Sequence, residues 1–122
     1  MRALIVDDSR FIRAHLRGLL APLGIECEEA ANGEDGLQKL HASAPFDLAL
    51  LDWNMPLMTG LEMLLQMRAE GFTSVKVLMV TSEAGNDHIL RALEAGADEY
   101  LMKPFEPEAL SGKLAMMGLV EG

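Results

Sequence analysis

Near its start the chain reads Ala3-Leu4-Ile5-Val6-Asp7-Asp8-Ser9, four apolar residues and then two acids. The pattern returns at Leu48-Ala49-Leu50-Leu51-Asp52, at Val77-Leu78-Met79-Val80-Thr81 and, less cleanly, at Tyr100-Leu101-Met102-Lys103. Apolar runs this short read as strands buried on both faces. A fifth, Ile25–Ala30, alternates with glutamates and reads as an edge strand.

Helical patterns fill the intervals. Phe11, Ile12, His15, Leu16, Leu19 and Leu20 recur at helical spacing, and Pro22 ends that helix. Gly33–Leu40 gives a short helix that stops before Pro45. Thr59-Gly60-Leu61-Glu62 is a capping box opening a helix with Leu61, Leu64, Leu65 and Arg68 on one face. Asn86 or Asp87 is expected to cap the next, with Ile89 and Leu93 inward and Gly96 as its stop. Pro107 suits the first turn of a last helix carrying Leu110, Leu114 and Met117. Five strands alternating with five helices imply a parallel sheet covered by helices on both sides, an α/β fold.

At 122 residues the chain is expected to be one domain, 1–122. Half of the residues are apolar and 24% charged, the balance of a globular protein. The net charge of −9 argues against binding nucleic acid or anionic membranes, since either needs a basic footprint. The opening apolar run is too short for a membrane span or a signal peptide, so the cytoplasm is the expected location. The lone Cys27 has no internal disulfide partner and reads as a small packed residue. His15, His41 and His88 show no metal-ligand spacing and are expected at the surface or on a helix face. The nine methionines read chiefly as core filler, with Met55 and Met58 near the acids.

In open α/β sheets functional groups gather beyond the carboxyl ends of the strands. Here Asp7-Asp8, Asp52, Thr81 and Lys103 close the first, third, fourth and fifth strands. If the first and third strands are neighbours, three carboxylates converge. Two unit charges ~5 Å apart repel by about 3 kcal/mol at an effective dielectric near 20. A hard divalent cation with oxygen ligands is the natural compensation, and Mg²⁺ fits because it keeps room for waters and phosphate. Lys103 adds a cation that reaches a phosphoryl oxygen, and Thr81 a hydroxyl donor. The set therefore reads as a phosphoryl-transfer site with a carboxylate nucleophile, its backbone cradle completed by the N–H groups after Asp52 and Thr81.

The chain resembles the receiver domain of bacterial two-component response regulators, above all the stand-alone, chemotaxis-type (CheY-like) members. The resemblance rests on Val6-Asp7-Asp8-Ser9, Leu51-Asp52-Trp53-Asn54-Met55-Pro56, Gly60, Val80-Thr81-Ser82-Glu83, Gly96-Ala97 and Lys103-Pro104-Phe105. It implies a flavodoxin-like, doubly wound (βα)5 fold with strand order 2-1-3-4-5, the order of which CheY is itself an example. It further implies that Asp52 is the phosphoacceptor, with Thr81 and Lys103 pairing the phosphoryl group. Asp8 would bind Mg²⁺ directly, Asp7 mainly through water, Asp52 and the Asn54 backbone carbonyl completing the protein ligands. Tyr100 would change rotamer as Thr81 moves, and Lys103–Pro104 would be a cis peptide. Trp53 flanks the acceptor, while Asn54 and Glu83 would tune hydrolysis of the aspartyl phosphate. Ser82 departs from the smaller residue common there. Implied partners are a histidine kinase or phosphotransfer domain, and a protein target on the face of the fourth helix, fifth strand and fifth helix. The protein would be a monomer or a phosphorylation-dependent dimer, and a signalling phosphoacceptor rather than an enzyme.

Each residue alone has a plainer reading. Asp7 and Asp8 are able to cap the following helix, with Ser9 competing; Asp52 is able to sit in a turn; Lys103 suits a solvated surface. Arg10, Arg13 and Arg17 share a helix face, read either as solvated or as a basic ridge that steers an acidic phosphodonor. Two other functions compete. An aspartyl-phosphate phosphatase of the haloacid-dehalogenase type would want a second carboxylate two residues after the nucleophile, where Asn54 stands. A receiver fragment of a DNA-binding regulator or hybrid kinase would share every motif named above.

Overall fold

A computed structural model describes residues 1–43, 45–83 and 85–121, so Gly122, the end of the expected domain, lies outside the described residues. Five strands, β1 (Arg2–Val6), β2 (Glu26–Ala30), β3 (Leu48–Leu51), β4 (Lys76–Thr81) and β5 (Glu99–Met102), pair in parallel in the order β2-β1-β3-β4-β5. Five helices alternate with them: α1 (Arg10–Leu20), α2 (Gly33–Ser43), α3 (Gly60–Ala69), α4 (Asn86–Ala95) and α5 (Pro107–Met116). This is the flavodoxin-like α/β fold.

The period of two along each strand divides the apolar residues between two cores. Ala3, Ile5, Leu48, Leu50, Leu78 and Val80 point to one face, where Leu16 and Leu20 of α1 and Leu110 and Leu114 of α5 cover them. Leu4, Val6, Ala49, Leu51, Val77 and Met79 point to the other, beneath α2, α3 and α4. A strand sandwiched in this way carries apolar residues throughout, as the opening run does. β2, at the sheet edge, keeps its glutamates half-buried or exposed.

Several expectations about single helices are corrected. Phe11 does not join the core: its side chain is 77% exposed. α2 runs three residues past Leu40, to Ser43, before the chain reaches Pro45. In α3 the capping box is present, but Leu65 faces solvent while Met63 and Met67 are buried with Leu61 and Leu64. That helix lies against both the sheet and α2, so its buried face is wider than one leucine stripe. Neither Asn86 nor Asp87 caps α4; the N-cap is Gly85 at φ 109°, with no side-chain bond to the helix. Inside α4, Ala92 is the buried residue and Ile89 packs partly against the core, whereas Leu90 and Leu93 are exposed. Pro22 ends the first helix by opening a 3-10 turn over Ala21–Leu23.

Candidate functional site

The sheet ladder extends one hydrogen bond beyond several strands, and these bonds set the acidic residues in place. The Asp7 amide donates to the Ala30 carbonyl at 3.1 Å and the Asp52 amide to Val6 at 3.0 Å. On the other side the Lys103 amide donates to Thr81 at 3.0 Å. Asp7, Asp8 and Asp52 each bring a carboxylate oxygen to within 4.8 Å of the others. Asp7 and Asp52 are buried, and Asp8 is exposed at the rim.

Lys103 is the counterion. Its Nζ lies 2.8 Å from Asp7 Oδ2 and 3.5 Å from Asp52 Oδ2. One lysine against three carboxylates leaves two negative charges uncompensated, and the donors are all hard oxygens. That composition suits a hard divalent cation, so the acidic triad is a fitting metal site of the receiver type. Burial pushes the Asp52 carboxyl above its ordinary pKa, and the charge of Asp7 adds to this; a hydrogen bond from the Thr81 hydroxyl and the charge of Lys103 oppose it. Among the described residues no buried side-chain polar atom lacks a partner.

The loop after Asp52 is held close by Gly60. Its amide donates to the Trp53 carbonyl at 2.8 Å, and a Cβ there would sit 2.0 Å from the Asp52 carbonyl oxygen. Only glycine fits, which explains the motif position in geometric terms. Leu57, in the same loop, adopts φ 70°. Trp53 is buried, the Asn54 side chain is exposed and donates to the Glu83 carboxylate, and Lys103–Pro104 is cis as expected. Thr81 is buried, and its hydroxyl accepts from the Glu83 amide at 3.2 Å. Tyr100 is turned inward, and its hydroxyl donates to the Glu83 carbonyl at 2.7 Å. Ser82 and Pro104 are exposed and border an apolar groove with Phe11, His15 and Phe105.

The basic ridge is smaller than its spacing suggests. Arg13 and Arg17 both bind Glu29, through Nε at 3.1 Å and 2.7 Å, and the Arg13 side chain is only 14% exposed. Glu29 lies across the sheet edge, a long-range partner that helical spacing gives no sign of. His88, on α4, also borders the site. Its ring meets Trp53 edge-on at 4.9 Å between centroids and lies 3.4 Å from the Glu83 carboxylate. No sequence signal links positions 53 and 88.

Among the described residues no helix is long and apolar enough to cross a membrane. Residues 3–115 match the response regulator receiver domain. The chain is 38% identical over 119 residues to the chemotaxis protein CheY1 of Helicobacter pylori strain J99, covering 96% of each. It is 43% identical over 116 residues to the chemotaxis protein CheY of Pseudomonas aeruginosa, covering 93% of each. Among solved structures, Vibrio cholerae CheY4 superposes with a TM-score of 0.87 at 36% identity, over 94% of this chain and 96% of that one. Members of the matched family are signalling phosphoacceptors rather than classical enzymes, and a histidine kinase is the partner that such a domain implies. With the match, the fold and the acidic pocket beside Lys103 in agreement, the chain belongs to the response regulator receiver domain family.

Proposed function

We propose that Asp52 accepts a phosphoryl group from a phosphohistidine, and that the domain, 1–122, serves as a switch in chemotaxis or related signalling. The observation that carries this is the joint placement of three carboxylates within 4.8 Å and a lysine 3.5 Å from Asp52. In the transfer, an Asp52 carboxylate oxygen forms the new P–O bond, the P–N bond breaks, and the imidazole departs with the bonding electron pair. No general base is required, because the nucleophile is an anion. Mg²⁺, held by Asp8, Asp52 and the Asn54 carbonyl with Asp7 behind, would supply charge neutralisation for the phosphoryl oxygens. Lys103, 3.5 Å from Asp52 Oδ2, supplies the remaining cation, and the Thr81 hydroxyl offers a donor.

The route outward runs through the segment after Thr81. A Thr81 hydroxyl drawn toward a phosphoryl oxygen releases the Glu83 amide, and Glu83 is also the residue whose carbonyl holds Tyr100. Repacking of Tyr100 then alters the face of α4, β5 and α5, where Leu90, Leu93 and Met102 are exposed for a protein partner. Asn54, Ser82 and Glu83 flank the site and would set the lifetime of the phosphoryl group. The cytoplasm is the matching location, and a monomer or a phosphorylation-dependent dimer the matching state. Of the α1 arginines, Arg10 and the exposed side of Arg17 remain to steer an acidic donor; reversing those charges should slow transfer and weaken its salt dependence.

Incubation with acetyl phosphate and Mg²⁺, read by intact mass and peptide mapping, should give one adduct on Asp52 that Asp52→Asn abolishes. Trp53 fluorescence should change with it. Quenching by Mg²⁺ without any adduct would identify a binding-only domain and overturn the proposal.

A further inference from the structure

The carbonyl oxygen of Asp7 accepts a 2.6 Å hydrogen bond from Arg13 Nη1. We propose that Arg13 is a positioning residue for the acidic loop: by holding the Asp7–Asp8 peptide plane, it aims the Asp8 carboxylate at the cation site.

Among the described residues the loop is also tied at Ser9, whose hydroxyl and carbonyl accept from the Ile12 and Arg13 amides, and at Asp7. Its amide donates to Ala30, its Oδ1 accepts from the Ser9 amide at 2.9 Å, and its Oδ2 accepts from Lys103. None of these acts on the peptide group that joins Asp7 to Asp8. That group's orientation sets ψ of Asp7 and φ of Asp8, and so the direction in which the Asp8 side chain leaves the backbone. Asp8 is the exposed member of the triad, so packing does little to hold it. The guanidinium bond to the Asp7 carbonyl fills that gap.

Arg13 is itself held. It leaves α1 one turn beyond the Ser9 cap, its Nε bonds Glu29 Oε1, and Glu29 Oε2 is bound by Arg17. The fork geometry of arginine suits this task, because one rigid plane meets a carbonyl and a carboxylate at once. A lysine offers one compact ammonium without that planar fork. The chain of contacts runs from the sheet edge at β2, through α1, to the metal loop.

Two accounts of Arg13 predict opposite signs. As a nearby positive charge it would repel a divalent cation, and its removal would tighten binding. As a positioning residue its removal weakens binding, by about 10-fold or more, the range seen when groups that orient metal ligands are lost. The test is Mg²⁺ titration of the full chain by Trp53 fluorescence, for wild type, Arg13→Met, Arg13→Lys and Arg17→Met. Arg13→Met should raise the Mg²⁺ dissociation constant about 10-fold and Arg13→Lys should recover part of the loss. Arg17→Met, which removes an ion pair to the same glutamate without touching the Asp7 carbonyl, should change it by less than about 3-fold. Unchanged or tighter binding by Arg13→Met overturns the inference, as does an equal loss in Arg17→Met. Should Arg13→Met fail to fold, Arg13→Lys decides: wild-type affinity in that variant overturns it. The inference rests on the acidic triad being a cation site. If wild type itself fails to bind Mg²⁺, that reading falls, an outcome distinct from an unchanged affinity in the variants.

Discussion

Asp52→Asn should make the metal-free protein more stable, although it removes the proposed phosphoacceptor. Lys103 attracts Asp52 across 3.5 Å, worth about 5 kcal/mol at an effective dielectric near 20. Asp7 lies within 4.8 Å and repels it by about 3 kcal/mol on the same scale. The exposed Asp8 adds a repulsion that solvent largely screens. Against the remaining attraction of about 2 kcal/mol stands the withdrawal of a carboxylate from water, several kcal/mol even after relaxation. Burial is the larger effect, which is why the Asp52 pKa lies above its ordinary value in the folded state. A raised carboxyl pKa means that the unfolded chain holds the charge more readily, so ionisation costs stability at all pH above the folded-state value. Asparagine removes that cost without stranding Lys103, which keeps Asp7 at 2.8 Å. We expect a gain of about 1 kcal/mol, or roughly 4 °C in Tm, at neutral pH with EDTA present. The gain should shrink as the pH falls through the folded-state pKa toward that of a free carboxyl. Mg²⁺ should stabilise wild type more than the variant and so narrow or reverse the gap. Urea unfolding of both proteins, with EDTA and with Mg²⁺, reads all of this. A variant that is less stable than wild type without metal, or equal stabilisation of the two by Mg²⁺, would refute the reasoning.

Lys103→Met leaves two buried carboxylates facing each other and should cost about 3 kcal/mol in urea unfolding without metal, with part restored by Mg²⁺. Gly60→Ala forces a Cβ against the Asp52 carbonyl and should cost about 3 kcal/mol while weakening Mg²⁺ binding. Arg68→Met removes the donor that the carbonyls of Phe72, Val75 and Gly96 share, together with an ion pair to Asp98; a loss of about 3 kcal/mol is expected by denaturant titration. Glu29 is partly desolvated, yet hydrogen bonds from Arg17 and Arg13 hold its pKa below the usual carboxylate range. Its contribution is present above the unfolded pKa of about 4.3 and is lost as the pH falls through the lower folded-state value. Glu29→Gln should therefore flatten the acid limb of a stability–pH curve below about pH 4.5.

The layered architecture was legible because both faces of the sheet are covered, which forces unbroken apolar runs on β1, β3 and β4. The carboxyl-end residues were legible for a related reason, since each follows such a run directly. What escaped was set by contacts distant in sequence. Arg13 and Arg17 share a face with Arg10, and nothing in that spacing reveals that Glu29 engages two of the three. Leu65 and Leu93 have the right type for the core, but α3 buries methionines in addition and α4 rests on the small Ala92, so both leucines point outward. Gly85 takes the cap that Asn86 and Asp87 suit by residue type, because the positive φ there is available to glycine at little cost.

The double engagement of Lys103 limits how large the response of the domain is able to be. On the proposed function, the lysine that greets an incoming phosphoryl group is already committed to Asp7, so phosphorylation exchanges one ion pair for another. Only the difference between the two pairs biases the conformational equilibrium, and each increment of about 1.4 kcal/mol in that difference is a factor of ten in the ratio of active to resting molecules. A resting state that held its lysine loosely would respond with a larger ratio, and would also leave more molecules active before any signal arrived.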